Sequence, residues 1–422
     1  MMSDKVTDQF PKIFRVRQRF DSPTCGDVTA ETKAQLSSLG VGAKIQPGQS
    51  IAITAGSRGI ANIAQIIQAI AQFFIEAGGK PFIVPSMGSH GGGTADGQRK
   101  VLEAYGVTES FCGCPIQSSM ETVVIGEAEE GFPIYFDKFA HAADHVVICN
   151  RVKPHTNFAG DIQSGLMKMM MIGLGKKDGA ALYHRAIHDH GFPQIIRSVA
   201  PQVVNNANIL CGVAMVENGL DDTAEIRALK PEEFETGEKE LLTLARDWMP
   251  KLPFTQIDVL LIDRIGKNIS GTGMDTNVIG RKHSEHAPGA PTIKRLIVRG
   301  LTNETHGNAT GIGFAEFCLS RVVEGMDREV TILNCLTALD IPAAQTPVHY
   351  PTDKETVATA LGTLGLTPSE KARLVWIRDT GHLEEFYCSE AFLPEVESSG
   401  LLDAIESPTA MSFDAHGMLG DV

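Results

Sequence analysis

The chain repeats one unit, a short apolar run followed by a polar loop and a helical pattern, and this repetition constrains its fold most strongly. Residues 49–55 (QSIAITA) form an apolar run that ends in the loop 56–59 (GSRG), and apolar residues then recur with helical spacing over 63–74. Residues 80–85 (KPFIVP) form a second such run, which a glycine-rich loop and a helical pattern over 98–105 follow. Strands that alternate with helices predict an α/β fold with a parallel sheet.

Further apolar runs extend this pattern along the chain. Residues 145–149 (HVVIC) and 258–262 (DVLLI) predict two more strands of the same kind. The downstream half is less regular, and we expect strands there near 328–334 and 373–378. Apolar runs this short are typical of strands that are buried on both faces of a sheet.

The length of the chain points to more than one domain. A chain of 422 residues exceeds the usual ~150 residues of a single domain. Residues 248–253 (WMPKLP) contain two prolines and form the candidate boundary. We therefore predict an N-terminal domain over 1–252 and a C-terminal α/β domain over 253–422. Both should contain mainly parallel, Rossmann-like sheets, and the active-site cleft should lie between them.

Composition and charge exclude several classes of protein. Hydrophobic residues make up 43% of the chain and charged residues 21%, which is a globular and not a disordered composition. The net charge of −14 disfavours binding to nucleic acid or to an anionic membrane. No apolar run reaches the ~18 residues of a membrane span, and residues 1–11 do not resemble a secretory signal. Together with eight scattered cysteines, these features predict a cytoplasmic protein with reduced thiols.

The loops that follow the predicted strands carry the polar residues of most interest. In parallel sheets, ligands bind beyond the carboxyl ends of the strands. We therefore expect the loops with Arg58, His90, His155 and Arg264 to converge on one face. His90 lies in the sequence GSHGGG, where an imidazole could act as a general base, although a single loop histidine is more often an ordinary surface residue.

Residues 151–184 mix histidines, lysines and glycines with apolar residues. Lys168 stands between GLM and MMM, and burial in such surroundings would make its amine nucleophilic and able to hold a cofactor covalently. The alternative is a lysine whose ammonium reaches solvent. His184 and His188 have the i, i+4 spacing that places two imidazoles on one helical face, so that zinc is conceivable, but the glutamate of an H-E-x-x-H motif is missing.

In order and approximate spacing, these motifs resemble those of the nickel-pincer lactate racemase family, whose members interconvert the enantiomers of 2-hydroxy acids. The resemblance covers roughly residues 50–185. It rests on a chain of five features in this sequence, which are Arg58, the loop Gly88-Ser89-His90, Pro154-His155 with Ala159-Gly160, Ser164-Gly165-Leu166-Met167-Lys168, and His184.

The resemblance implies a role for each of these residues. Lys168 would hold the cofactor, pyridinium-3,5-bisthiocarboxylic acid mononucleotide, through a thioamide, and Ser164 and Gly165 would contribute to cofactor binding. His184 would bind nickel. His90 and His155 would be the pair of bases that serve the two enantiomers, and the guanidinium of Arg58 would bind the substrate carboxylate. The N-terminal domain would then carry the cofactor and the catalytic histidines.

The sequence also departs from the family pattern. Ala55 stands where the family has an aspartate, and extra residues, including Asp161, lie between His155 and Lys168. The family's substrate contacts in the second domain are not evident, so that Lys267, Arg281 or Lys282 would have to replace them. His306, in the sequence THGN, is more typical of a structural turn.

The sequence therefore predicts a cytoplasmic, nickel-dependent isomerase that racemises or epimerises lactate or a larger 2-hydroxy acid by reversible hydride transfer. Its partner would be this small substrate, without nucleic acid or membrane. Two alternatives remain open. One is a divalent-metal hydrolase or lyase that uses His184, His188 and Asp178. The other is a non-catalytic protein that binds an anionic metabolite through Arg58, Lys153 and the glycine-rich loops.

Overall fold

A computed structural model describes residues 9–57, 59–283 and 291–422. Arg58, one of the predicted site residues, lies outside the described residues. The chain forms two compact units, one comprising residues 21–249 and the other comprising 1–20 together with 250–422. None of the helices in the described part of the chain combines the length and the apolar character that a membrane span requires.

The strands are numbered in chain order. They are β1 (Lys12–Gln18), β2 (Ser50–Ala55), β3 (Lys80–Pro85), β4 (Thr122–Glu127), β5 (Pro133–Asp137), β6 (His145–Arg151), β7 (Ile209–Glu217), β8 (Thr223–Leu229), β9 (Gln256–Ile262), β10 (Thr292–Val298), β11 (Phe317–Leu319), β12 (Val348–Tyr350), β13 (Leu374–Ile377), β14 (Glu385–Ser389), β15 (Leu402–Ala404) and β16 (Thr409–Ala410).

The α-helices are numbered in the same way. They are α1 (Val28–Ser38), α2 (Ile63–Glu76), α3 (Ala95–Ala104), α4 (Glu109–Cys112), α5 (Lys138–Ala142), α6 (Gly165–Lys168), α7 (Lys176–His190), α8 (Phe192–Asn206), α9 (Phe234–Trp248), α10 (Thr276–Ile279), α11 (Ser320–Glu324), α12 (Arg328–Thr337), α13 (Asp353–Gly362) and α14 (Leu393–Ser398).

The unit over 21–249 is built on a five-stranded sheet of order β3-β2-β6-β7-β8. The first four strands are parallel, and β8 pairs antiparallel with β7. Successive side chains of β2 enter different apolar clusters, Ile51 and Ile53 on one face and Ala52 on the other. This sheet is therefore buried on both faces, which explains why its strands are continuous apolar runs. A separate hairpin pairs β4 with β5.

The other unit contains a nine-stranded mixed sheet. Its main path has the order β12-β11-β10-β9-β13-β14-β1-β15, and β16 pairs with β1. The strands from β12 to β13 are parallel, whereas β14, β1, β15 and β16 pair antiparallel. The predicted α/β class is confirmed, and the parallel core of each sheet is extended by antiparallel strands that the sequence analysis did not anticipate.

Two details differ from the sequence analysis. Strand β1 pairs within the sheet of the C-terminal unit, although residues 1–252 were assigned to the N-terminal domain. The prediction of a strand near 328–334 is wrong, because these residues belong to helix α12. The Asp327 side chain accepts a hydrogen bond from the Val330 N–H and caps this helix, and the buried Thr331 and Cys335 are spaced four residues apart, as in a helical face.

Candidate functional site

The loops after β3, β2 and β6 lie at one edge of the five-stranded sheet. Because these strands are adjacent and parallel, their carboxyl ends share this edge. His90 follows β3 and His155 follows β6. Arg264, which was expected at the same face, follows β9 in the other sheet, so it does not belong to this edge.

The loop that carries His90 is closely packed. Gly88 has a φ of +60°, and a Cβ atom there would come within 3.2 Å of the Ala180 Cβ and 3.3 Å of the Ile172 carbonyl oxygen, so that any other residue would be strained. Gln98 donates from Nε2 to the carbonyl oxygens of Gly88, at 2.8 Å, and of His90, at 3.3 Å. The His90 side chain itself is exposed, and its Nδ1 lies 2.5 Å from the Ser57 Oγ.

A buried lysine lies beneath this loop. Lys176 has no exposed side-chain surface and pairs with the equally buried Asp137 at 3.0 Å. Its Nζ also donates to the carbonyl oxygen of Pro85, at the end of β3, and to Gln98 Oε1 at 3.4 Å. Burial lowers the pKa of Lys176, and the carboxylate of Asp137 opposes this effect. The ammonium therefore connects helix α7, which also carries His184, to the loop that carries His90.

The loop that carries His155 is held by its own hydrogen bonds. The His155 N–H donates to Gln163 Oε1 at 2.8 Å, and Gln163 Nε2 donates to the Gly160 carbonyl oxygen at 3.0 Å. The imidazole Nδ1 accepts two bonds, from the backbone N–H groups of Asn157 and Phe158, each at 3.0 Å. The ring orientation is thus fixed by the backbone of the same loop.

The Phe158 ring brings three of the predicted site residues together. It stacks on the His155 ring with a centroid separation of 4.1 Å and an interplanar angle of 10°. The Lys168 Nζ lies 4.8 Å from the centroid of the same ring, in the geometry of a cation–π contact. The centroid of the His184 ring lies 6.2 Å from that of the Phe158 ring. The Phe192 ring stacks on the Phe158 ring with a centroid separation of 4.4 Å. Phe158 is therefore the aromatic centre of the candidate site.

Lys168 ends the short helix α6 and is followed by the π-helical turn Met169–Gly173. Such turns occur preferentially at functional sites. The three methionines of this turn are buried, whereas the Lys168 side chain is half-buried.

The other two predicted cofactor-binding residues shape the loop before Lys168. The Ser164 Oγ donates to the Lys153 carbonyl oxygen and accepts from the Lys153 N–H, both at 2.7 Å. Gly165 has a φ of +84°, and a Cβ atom there would lie 2.3 Å from the Glu238 carboxyl group. Its carbonyl oxygen accepts from Asn150 Nδ2 at 2.8 Å.

The Glu238 carboxyl group lies at the amino end of helix α6 and accepts hydrogen bonds from its backbone. Its Oε1 accepts from the N–H groups of Leu166 and of Met167, the latter at 3.1 Å. Its Oε2 is buried without a hydrogen-bond partner. Burial raises the pKa of Glu238 to about 8, although the two N–H donors oppose this change. At neutral pH this carboxyl group is therefore protonated for much of the time.

His184 lies on α7, one face of which packs on the core of its unit. The His184 side chain is exposed, but protein atoms surround much of its ring. This desolvation, together with the Lys168 ammonium, lowers the pKa of His184. The lowered pKa favours the neutral imidazole, which is the form that binds a metal ion.

The zinc alternative gains no support from the geometry. Within residues 9–57, 59–283 and 291–422, no three histidine, cysteine or carboxylate side chains are grouped as a metal site would require. His188 is exposed and faces Asp189 at 3.1 Å, and Asp178 is also exposed.

Asp161, one of the extra residues between His155 and Lys168, forms ion pairs with Arg197 and Lys239. The Arg197 guanidinium lowers the pKa of Asp161 to about 2.

The candidate residues of the C-terminal unit are engaged locally. Arg281 donates to Glu316 and to the carbonyl oxygens of Phe314 and Ile293. The Lys267 Nζ donates to the Gly271 carbonyl oxygen at 2.7 Å. His306 has a φ of +49° and ends a short turn, as expected for a structural role.

Several residues of this site were missed by the sequence analysis. They are Ser57, Gln98, Asp137, Phe158, Lys176 and Glu238. A lysine or glutamate in a helical pattern is usually exposed, so no local signal distinguished Lys176 or Glu238. Their roles follow from partners that are distant in sequence.

Fold and site together define an α/β protein that presents a lysine and histidines at the carboxyl edge of a parallel sheet. Among solved structures, the chain is similar to the lactate racemase apoprotein from Thermoanaerobacterium thermosaccharolyticum. The sequences are 12% identical, the match covers 87% of this chain and 85% of that chain, and the TM-score is 0.48. No family model and no curated protein matches the sequence.

Proposed function

We propose that the chain is a racemase or epimerase of a 2-hydroxy acid that uses nickel held by a pincer nucleotide. The observation that carries this proposal is the arrangement around Phe158, whose ring contacts the Lys168 ammonium and lies beside the rings of His155 and His184. These are the residues to which the sequence resemblance assigns the cofactor link, one base and the nickel ligand. These three residues are separated by up to 29 positions in sequence, and in the fold all three lie next to the Phe158 ring.

The residues present fit the proposed cofactor. A half-buried primary amine at Lys168 has the chemistry that a thioamide link requires. The lowered pKa of His184 supplies a neutral imidazole as a nickel ligand. The rings of Phe158 and Phe192, stacked at 4.4 Å, provide an apolar wall beside both. Ser164 and Gly165 support this site by shaping the loop that leads to Lys168.

Held by Lys168 and His184, the cofactor would supply reversible hydride acceptance at the substrate Cα. The protein's own residues would handle the hydroxyl proton and the carboxylate. His90 and His155 are the candidates for the proton, because both imidazoles lie on loops at the carboxyl edge of the same sheet. By resemblance, Arg58 would bind the carboxylate.

The isotopic fate of the Cα hydrogen tests this proposal directly. The protein should be purified from cells that make the cofactor and then given single enantiomers of lactate and of larger 2-hydroxy acids in D₂O. Hydride transfer returns the original hydrogen, so the opposite enantiomer should appear without deuterium at Cα. Removal of the hydrogen as a proton would instead incorporate deuterium from the solvent.

Two variants link the activity to the site. Lys168→Ala should abolish racemisation. Lys100→Ala is the matched control, because Lys100 is an exposed lysine of the same unit that pairs with Asp96, four residues before it. Full activity of Lys168→Ala, or deuterium at Cα of the wild-type product, would contradict the proposal.

A further inference from the structure

Helix α6, which ends at Lys168, is too short to satisfy its own backbone. It comprises only the 4 residues Gly165–Lys168, and the N–H groups in the first turn of any helix lack acceptors within that helix. The residue before a helix often supplies an acceptor, but the Ser164 side chain makes no such bond. Its Oγ is bonded instead to the backbone of Lys153. The acceptor for α6 must therefore come from another element.

Glu238, on helix α9, supplies this acceptor. Its Oε1 accepts from the N–H groups of Leu166 and of Met167, the latter at 3.1 Å, and these are the two residues directly before Lys168. Helix α9 is a firm support, because its Leu241 is fully buried in the apolar core of the unit. The backbone that leads to the Lys168 side chain is thus tied to a well-packed helix.

A glutamate is an unfavourable residue to bury at this position. Its side chain is nine-tenths or more buried, and its Oε2 has no hydrogen-bond partner among the described residues. A buried polar atom without a partner is destabilising, and a leucine of similar size would avoid this cost. The bonds from Oε1 to helix α6 are the interactions that offset it. The carboxyl group is therefore explained by what it holds.

Two further contacts fix the same short helix. Asn150, at the end of β6, donates from Nδ2 to the Gly165 carbonyl oxygen at 2.8 Å. Gly165 has no Cβ atom, which lets the Glu238 carboxyl group lie against the start of the helix. At the other end, the Lys168 Nζ lies 4.8 Å from the centroid of the Phe158 ring. Both the backbone and the amine of Lys168 are thus held.

We propose that Glu238 is a positioning residue, which holds helix α6 so that the Lys168 amine stands where the cofactor is bound. This inference rests on the proposed function. Glu238 acts only through the backbone of Leu166 and Met167 and takes no part in the chemistry of the link. A reacting group that is displaced by a small distance reacts much more slowly, so the loss of this support should be visible at Lys168.

The occupancy of Lys168 in matched variants tests this role. Each variant is made in cells that produce the pincer nucleotide, and the fraction of the Lys168 peptide that carries the adduct is measured by mass. Glu238→Gln keeps a side-chain oxygen for the two N–H groups and should stay within about twofold of wild type, whereas Glu238→Leu should lose about tenfold or more.

Asp144→Leu is the matched control for the loss of a carboxylate that holds backbone. Asp144 belongs to the same unit and accepts from the Ser50 N–H at 2.8 Å, at the amino end of β2. The adduct fraction of this variant should match wild type. An unchanged fraction in Glu238→Leu, or an equal loss in Asp144→Leu, would overturn the proposal.

The reactivity of the amine gives a second readout that needs no cofactor. In protein from cells without the pincer nucleotide, the half-buried Lys168 should react with acetic anhydride more slowly than the exposed Lys100. Glu238→Leu should raise the rate at Lys168 relative to Lys100 by about fivefold or more, and Glu238→Gln should leave it unchanged. An equal rate ratio in wild type and Glu238→Leu would overturn the proposal. If wild-type protein carries no adduct, the proposed function fails, and these rates still decide whether Glu238 positions Lys168.

Hydrogen exchange in wild-type protein decides the contact if Glu238→Leu does not fold. The amides of Leu166 and Met167 should exchange about 10²-fold or more slowly than in an unfolded chain, because Glu238 Oε1 accepts from both. Exchange at the rate of an unfolded chain would overturn the proposal.

Discussion

The Lys176 ammonium and the Asp137 carboxylate pair at 3.0 Å, and neither side chain has any exposed surface. The pair lies beneath the loop that carries His90, because Lys176 also donates to the Pro85 carbonyl oxygen and to Gln98, which holds the His90 carbonyl oxygen. A buried charge that loses its partner is costly, so this pair connects the stability of the unit to the shape of the site.

Removing only the lysine should be strongly destabilising. Lys176→Met leaves the Asp137 carboxylate buried and unpaired, and we expect a loss of about 3–5 kcal/mol in the free energy of unfolding, measured by urea denaturation. The double variant Lys176→Met/Asp137→Asn removes both charges of this pair. The asparagine side-chain oxygen can still accept a hydrogen bond from the Ala140 N–H. It should be less destabilised than the single variant. Equal losses would show that the ion pair is not the cause.

Glu238 should give stability a characteristic dependence on pH. Its pKa is about 8 in the fold, against 4.5 as the ordinary value, so folding takes up a proton between these pH values. The folded state then binds more protons than the unfolded state, and the free energy of unfolding falls as pH rises through this range. Glu238→Gln cannot ionise, and its stability relative to wild type should rise from pH 4.5 to pH 8. Parallel stability curves for the two proteins would contradict this assignment.

The Glu238 carboxyl group also explains why position 165 is glycine. Gly165→Ala places a Cβ atom 2.3 Å from this group, in addition to the cost of a φ of +84°. Gly92→Ala is the matched control, because Gly92 has a φ of +67° but nothing within 4 Å of a Cβ atom. The control should lose about 1 kcal/mol of stability, and Gly165→Ala should lose a further ~1–3 kcal/mol. Similar unfolding midpoints in urea for the two variants would show that the close contact relaxes freely.

The Phe158 ring should matter for turnover beyond its share of stability. Phe158→Ala removes the ring that stacks on His155 and lies under the Lys168 ammonium. Phe139→Ala removes another half-buried phenylalanine of the same unit, on α5, before the amino end of β6. Each change should cost about 2 kcal/mol of unfolding free energy. Only Phe158→Ala should also lower kcat, by about tenfold or more, because it removes the ring that positions His155 and Lys168. A comparable loss of kcat in Phe139→Ala would refute a specific role for Phe158.

The strands of the parallel cores could be predicted from sequence because each is buried on both faces. The predicted runs 80–85 and 49–55 correspond closely to β3 and β2, and 373–378 to β13. The β-branched residues at 330–332 suggested a strand, but the Asp327 cap and the spacing of the buried residues decide in favour of helix α12.

The antiparallel strands and the buried charges could not be predicted in this way. Strand β1 pairs with β14, more than 360 positions away, and no local pattern records such a partner. Likewise, Lys176 and Glu238 are charged residues of ordinary helical segments, and they are buried because Asp137 and the amino end of α6 lie against them. A sequence motif suggested His90, His155, Lys168 and His184 as site residues, and their roles stay a prediction.

The central claim is that Lys168 carries a nickel-binding cofactor. The most direct measurement is the mass of the peptide that contains Lys168, from protein purified out of cells that make the pincer nucleotide, with nickel counted on the same sample. We predict an adduct of mononucleotide size on Lys168 and stoichiometric nickel, with both lost in Lys168→Ala and retained in Lys100→Ala. An unmodified Lys168 in protein without nickel would contradict the account.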